Sequence, residues 1–217
     1  MNKIIYAVIF GCLIYQPISF AECKTNLPVH KAGRFVDNHE LEEGTVTDTL
    51  TGLTWMRCPL GQDWVESTHS CDVEIVGTTR QDTKTSWMEM LTEVQTFNSN
   101  GGYAGFTDWR LPNIKELTSI SMLHCNPPLD EKIFPDSVNN SGAKQFWSST
   151  PSRKYQETLI KDENGALDEN GKVKIVSYRY ETQAWTFSLV NTLNPGKAYE
   201  TATSEKHHAM LVRGNAQ

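Results

Sequence analysis

The sequence predicts a single α+β domain stapled by disulfides, and three observations carry that reading. β-branched and aromatic runs dominate both ends of the chain, whereas two central segments repeat at helical spacing. Four cysteines, Cys23, Cys58, Cys71 and Cys125, are irregularly spaced and form no C-x-x-C pair. The N-terminus has the form of an export signal, which places those cysteines in an oxidising compartment.

The signal reads as follows along the chain. Lys3 gives a positive start, Ile4 to Ile14 are almost unbroken apolar residues, and Pro17 stops a helix. Ser19 and Ala21 put small residues at the positions that precede a cleavage site, between Ala21 and Glu22. The apolar run falls short of the about 20 residues that a membrane span needs. Residues 1–21 are therefore expected to be a removed signal peptide. A lipoprotein site at Cys12 is disfavoured by the bulk of Phe10. No later segment is long and apolar enough to cross a membrane, so an exported protein, periplasmic, surface-bound or secreted, is expected. Residues 22–217 then form one domain of ordinary size. Loss of Lys3 takes the net charge from −6 to −7. An acidic surface argues against nucleic acid and anionic membranes as main partners.

In an oxidising compartment four cysteines allow three pairings. The favoured one joins Cys58 to Cys71 across a short loop holding Gly61 and Trp64, and Cys23 to Cys125. The second bridge would tie the N-terminal strand to the middle of the chain. The irregular spacing does not suit the rival reading, a zinc site.

The elements follow in order. Arg34–Val36, Thr45–Asp48 and Leu53–Met56 read as strands, with Thr51-Gly52 as a tight turn. Trp64 to Thr79 reads as loop. Thr85 or Ser86 caps a first helix, with Glu89 placed for a capping box. Trp87, Met90, Leu91, Val94 and Phe97 form its apolar face, and Asn98 to Gly102 end it. A second helix is expected from Asn113, its cap, to about Leu123, with Leu117, Ile120 and Ser121 inward; Pro127 and Pro128 close it. Phe146–Thr150, Ala184–Leu189 and Ala209–Arg213 read as the closing strands. Between the first two, about 153–183, lies a charged hairpin-like insertion with Asn-Gly turns at 164–165 and 170–171.

Few residues suggest chemistry. Asp162-Glu163-Asn164-Gly165 recurs as Asp168-Glu169-Asn170-Gly171 and offers oxygens to calcium, but without the spacing of a calcium loop. His207 and His208 are neighbours and would point to opposite faces of a strand. Ser148 and Ser149 stand in no nucleophile elbow, and Gly101–Gly105 lacks the lysine and hydroxyl of a phosphate loop. No catalytic, metal or cofactor site is expected. The tryptophans Trp55, Trp87, Trp109, Trp147 and Trp185 are expected to fill the core. Trp64, in the disulfide loop, is the one expected to be exposed and the candidate for stacking on a ligand.

Three stretches carry a resemblance. They are Asp48–Cys58 (DTLTGLTWMRC), Gly102–Leu117 (GYAGFTDWRLPNIKEL) and Phe146–Thr150 (FWSST), joined by Trp185 and the closing Leu211-Val212-Arg213. Over about residues 34–213 the chain resembles the bacterial family defined by the C-terminal domain of the Legionella collagen-like adhesin. The resemblance implies a C-type-lectin-like fold and a non-catalytic role in binding or adhesion. The founding domain is implicated in binding sulfated glycosaminoglycans as a trimer. This chain departs from it in having no collagen-like repeat and in its acidic charge. The expected partner is a glycan or an envelope protein. A structural or accessory envelope protein without a small ligand is the alternative, and an enzyme on a lectin-like scaffold the third. Trp55, Asp108, Trp109, Arg110, Pro112, Trp147 and Trp185 are read as a structural signature, Pro112 and Asn113 setting the start of the second helix.

Overall fold

The computed structural model describes residues 22–23, 32–38, 44–73, 75–76, 79–80, 83–122, 125–126, 128–135, 145–158, 177–188 and 196–214. The signal segment, the two Asn-Gly turns and the calcium candidates lie outside the described residues. The N-terminal half holds β1 (Glu22–Cys23), β2 (Phe35–Asp37), β3 (Thr45–Asp48), β4 (Leu53–Met56), β5 (Gln62–Val65), β6 (Ser70–Val73), β7 (Ile75–Val76) and β8 (Thr79–Arg80). Two helices follow, α1 (Trp87–Ser99) and α2 (Ile114–Ser119). The chain then runs through β9 (Cys125–Asn126), β10 (Gln145–Thr158), β11 (Ser177–Ser188), β12 (Lys197–Ala202) and β13 (Val212–Arg213). Small antiparallel sheets with two helices make the domain α+β, as the sequence predicts.

The main sheets have the orders β13-β4-β3-β2 and β10-β11-β12, and both are antiparallel. The β3–β4 turn is fixed by Asp48, whose carboxylate accepts from the Leu50 N–H at 3.0 Å and the Thr51 hydroxyl at 3.0 Å. Gly52 supplies the left-handed residue at φ +72°. Arg34 grips the same carboxylate through Nε and Nη2, at 2.9 and 2.7 Å. The predicted first strand therefore lies one residue later, at β2.

The segment Ala209–Val212 threads between two apolar clusters. Met210 and Val212 face one with Trp55, Leu117, Phe134 and Phe146; Ala209 and Leu211 face the other with Met56, Met90, Trp109 and Trp147. Adjacent residues in an extended chain point oppositely, so Trp55 and Met56, or Phe146 and Trp147, divide between the same two clusters. A continuous apolar run is thus buried on both faces. Only Val212–Arg213 form ladder pairs, because the preceding residues bond to several partners: Met56 N–H to Leu211 O, Leu60 N–H to Ala209 O, and Trp147 N–H to His208 O.

Three elements differ from expectation. The stretch expected to be loop holds strands: β5 and β6 form a hairpin closed by Cys58–Cys71, with Cα atoms 5.6 Å apart, and β7 and β8 pair beyond it. No glycine or asparagine marks the β5–β6 turn; His69 takes the left-handed position at φ 50°. The second helix stops at Ser119. Hydroxyls of Thr118, Ser119 and Ser121 bond the carbonyls of Ile114, Glu116 and Thr118, and the Met122 N–H turns to Pro128 O. Finally, β12 lies in a stretch where no strand was expected. After a register shift between Trp147 and Pro151, β10 and β11 pair without a break from Pro151↔Ala184 to Thr158↔Ser177, so the charged stretch leaves the sheet as an extension of one ladder.

Candidate functional site

The signature Gly102–Leu117 borders a wide concavity, and the fold builds it in steps. Gly102, at φ +62°, sits where any Cβ would collide with the Phe106 carbonyl. Tyr103 and Phe106 then close a tight turn by paired backbone bonds of 3.0 Å. Trp109 is 2 % exposed, and its indole N–H donates to Tyr103 O at 3.1 Å. The Asn98 carboxamide at the end of α1 imitates a strand partner for Trp109. It donates to the Trp109 carbonyl at 2.7 Å and accepts from its N–H at 3.2 Å. Arg110 exchanges both backbone bonds with Val212. Pro112 is buried, and its carbonyl takes the Ser149 N–H at 2.8 Å.

Asn113 then starts α2. Its side-chain oxygen accepts from the N–H groups of Lys115 and Glu116, and Glu116 Oε2 accepts from the Asn113 N–H at 2.7 Å. The same Glu116 carboxylate, 7 % exposed, receives the Arg110 fork at 2.8 and 2.9 Å. Burial disfavours the Glu116 carboxylate, yet the Arg110 fork and the Asn113 N–H outweigh it and hold its pKa below the ordinary range. Arg110 also donates to Leu111 O at 3.3 Å and Gly214 O at 3.0 Å. Asp108 bonds Arg213 at 3.0 Å, and the Arg213 guanidinium lies 3.3 Å over the Phe106 ring.

Between α1, this turn and β10 runs a groove of about 580 Å³, a size typical of small-molecule sites. Leu91, Val94 and Leu111 give it an apolar wall, and the Arg110–Glu116 pair also lines it, Glu116 being bonded to the Asn113 cap. Gln95, Asn113 and Ser149 also line it, and the Gln95 carboxamide, the Asn113 Nδ2 and the Ser149 hydroxyl make no bond to another described residue. Gln95, Asn98 and Ser149 were not singled out as site residues by sequence. Gln95 is on the polar side of an amphipathic helix, where side chains have no distinguishing pattern.

Trp64 is not exposed: 9 % of it is accessible. Its ring is capped by the Arg57 guanidinium at 3.9 Å, and its indole N–H donates to Glu66 at 2.7 Å. Arg57 is held in turn by Asp37 at 2.6 Å and by the carbonyls of Lys132 and Ile133. The expectation of exposure failed because the disulfide loop folds back as a hairpin over Gly44, where a Cβ would strike Trp64. Trp55 and Trp147 are fully buried; Trp147 donates to Thr85 O at 2.9 Å. Trp87 and Trp185 are only partly buried. Ser148 is buried and donates to Trp185 O.

Cys125 is disulfide-bonded, and Cys23 stands opposite it in the β1–β9 register. Ala21 lies outside the described residues and Glu22 begins β1. His207 packs edge-on against Trp147 and His208 beside Phe146. Burial lowers the His207 pKa, partly offset by Glu205. No group of three His, Cys, Asp or Glu among the described residues is placed to hold a metal ion. No helix among them is long and apolar enough to cross a membrane.

The family model for the Lcl C-terminal domain matches residues 44–213, a span that contains the signature, the groove and the closing strand. No curated protein matches the chain.

Proposed function

The chain belongs to the Lcl C-terminal domain family, and we propose that it is an exported, non-catalytic binding or adhesion module whose ligand seat is the signature groove. The observation that carries this reading is the division of labour among the groove's polar groups. The ionic pair is consumed by the fold, whereas Gln95, Asn113 and Ser149 line the groove, and the Gln95 carboxamide, Asn113 Nδ2 and Ser149 Oγ make no bond to another described residue. Unused donors and acceptors beside an apolar wall suit ligand recognition. The order of strands, two helices and strands accommodates a C-type-lectin-like scaffold, and the half-cystines suit an oxidising compartment.

Ser149→Trp fills the groove from its β10 side and tests the reading. The purified, oxidised protein is applied to a broad glycan array and, separately, to immobilised envelope proteins. Binding by the wild type that disappears in Ser149→Trp, with an unchanged circular dichroism spectrum, is the expected result. Binding equal in both proteins would move the ligand seat elsewhere. Export is checked by cell fractionation and N-terminal sequencing, which should give Glu22 as the first residue.

A further inference from the structure

We infer that the groove takes a neutral, hydroxyl-rich ligand, an uncharged saccharide, and discriminates against sulfated or carboxylated chains. The inference rests on the groove being the ligand seat. It follows from what Arg110 has left to offer. A guanidinium recognises an anion through a fork of parallel N–H groups. In Arg110 both terminal nitrogens are already committed twice: Nη1 to Glu116 and Leu111 O, Nη2 to Glu116 and Gly214 O. No terminal N–H remains for a sulfate, and the positive charge is cancelled at 2.8 Å by a buried carboxylate. No other lining side chain carries a charge.

The same locking recurs elsewhere. Arg34 is forked onto Asp48, Arg57 gives one bond to Asp37 and one each to two carbonyls, and Arg213 gives one bond to Asp108 above Phe106. These four arginines staple the domain's strands together rather than forming an open cationic patch. Meanwhile the groups still available in the groove are a carboxamide, an amide N–H₂ and a hydroxyl. Each offers neutral hydrogen bonds of the kind that pair with sugar hydroxyls, and Leu91, Val94 and Leu111 present an apolar wall to the C–H face of a ring.

The experiment compares neutral oligosaccharides with sulfated and carboxylated ones on one array, at low and at physiological salt, with Ser149→Trp and Gln95→Ala beside the wild type. The expected result is binding to neutral members that changes less than twofold with salt, because uncharged contacts are not screened. It should fall at least tenfold in Gln95→Ala at an unchanged melting temperature and vanish in Ser149→Trp. Binding confined to sulfated members, steeply salt-dependent yet lost in Ser149→Trp, would overturn the neutral-ligand inference and leave the groove as the seat. Glycan binding untouched by either substitution would overturn the groove reading itself, and with it the inference. Binding of an envelope protein alone, blocked by Ser149→Trp, would keep the seat and overturn the saccharide.

Discussion

The signature groove and the β5–β6 hairpin use the same parts to opposite ends. Each centres on a tryptophan, an arginine and a carboxylate. At the hairpin, Arg57 lies on the Trp64 ring, Asp37 and two carbonyls bind the guanidinium, and Glu66 takes the indole N–H. The aromatic surface that a ligand would need is already covered by protein. At the groove, Trp109 is buried too and Arg110 is forked onto Glu116, but neutral polar side chains remain on the wall. On the proposed reading, a buried aromatic or a locked charge marks architecture, and binding falls to the groups that the architecture leaves unused. Neither tryptophan is a stacking platform; only one of them has an open groove beside it.

The strongest way to break this comparison is to remove the support beneath the groove. Trp109→Ala should destabilise the domain by about 3–5 kcal/mol, the range for large-to-small changes at fully buried aromatics. Urea denaturation checks this, and a loss under 1 kcal/mol would mean that the signature turn does not depend on its tryptophan. The hairpin comes next. Removing its bridge in a Cys58→Ser/Cys71→Ser variant should cost about 3 kcal/mol, given the sequence separation of 13. Wherever that variant is still folded, glycan binding should match the wild type. Loss of binding in the folded variant would make the hairpin part of the site.

Acidification sharpens the comparison further. Arg34's fork and the Leu50 N–H overcome burial to hold the Asp48 pKa below the ordinary range, as Arg110 does for Glu116. Their stabilising contribution is complete above the unfolded carboxylate values, about pH 4, and is lost as pH falls through the lower folded ones. His207 works in the same sense from a higher pH: its lowered pKa favours the neutral ring, so stability falls once pH drops below about 6.5, where the unfolded ring gains its proton. The melting temperature should therefore decline from pH 7 to pH 3, and in Glu116→Gln the low-pH part of that decline should be shallower. A melting temperature independent of pH would contradict the assigned pairs. The smallest effect on stability is expected from Gln95→Ala, within about 0.5 kcal/mol as for an exposed position, despite its large effect on binding.

Much of the frame was legible because it rests on local chemistry. The apolar face of α1 is spelled out by Trp87, Met90, Leu91, Val94 and Phe97 and is the face that packs. The Asn113–Glu116 cap and the Asp48–Gly52 turn were likewise readable from short-range residue types. What was not legible depends on distant partners. The β5–β6 hairpin has no glycine signal at its turn. The end of α2 is set by hydroxyls and by Pro128 O, and the covering of Trp64 by Arg57 needs the hairpin first. The groove was invisible for the same reason. Gln95, Asn113 and Ser149 lie far apart in sequence, and only the packing of α1 and β10 against the signature brings them to one groove.

The most direct test of the account is a titration of the isotopically labelled, oxidised protein with a neutral oligosaccharide, followed by side-chain NMR. The account predicts that the Gln95 and Asn113 amide resonances shift in a saturable way while the Trp64 indole N–H stays fixed. A saturable shift of the Trp64 indole N–H with the Gln95 and Asn113 amides unmoved would place the ligand at the disulfide hairpin and contradict it.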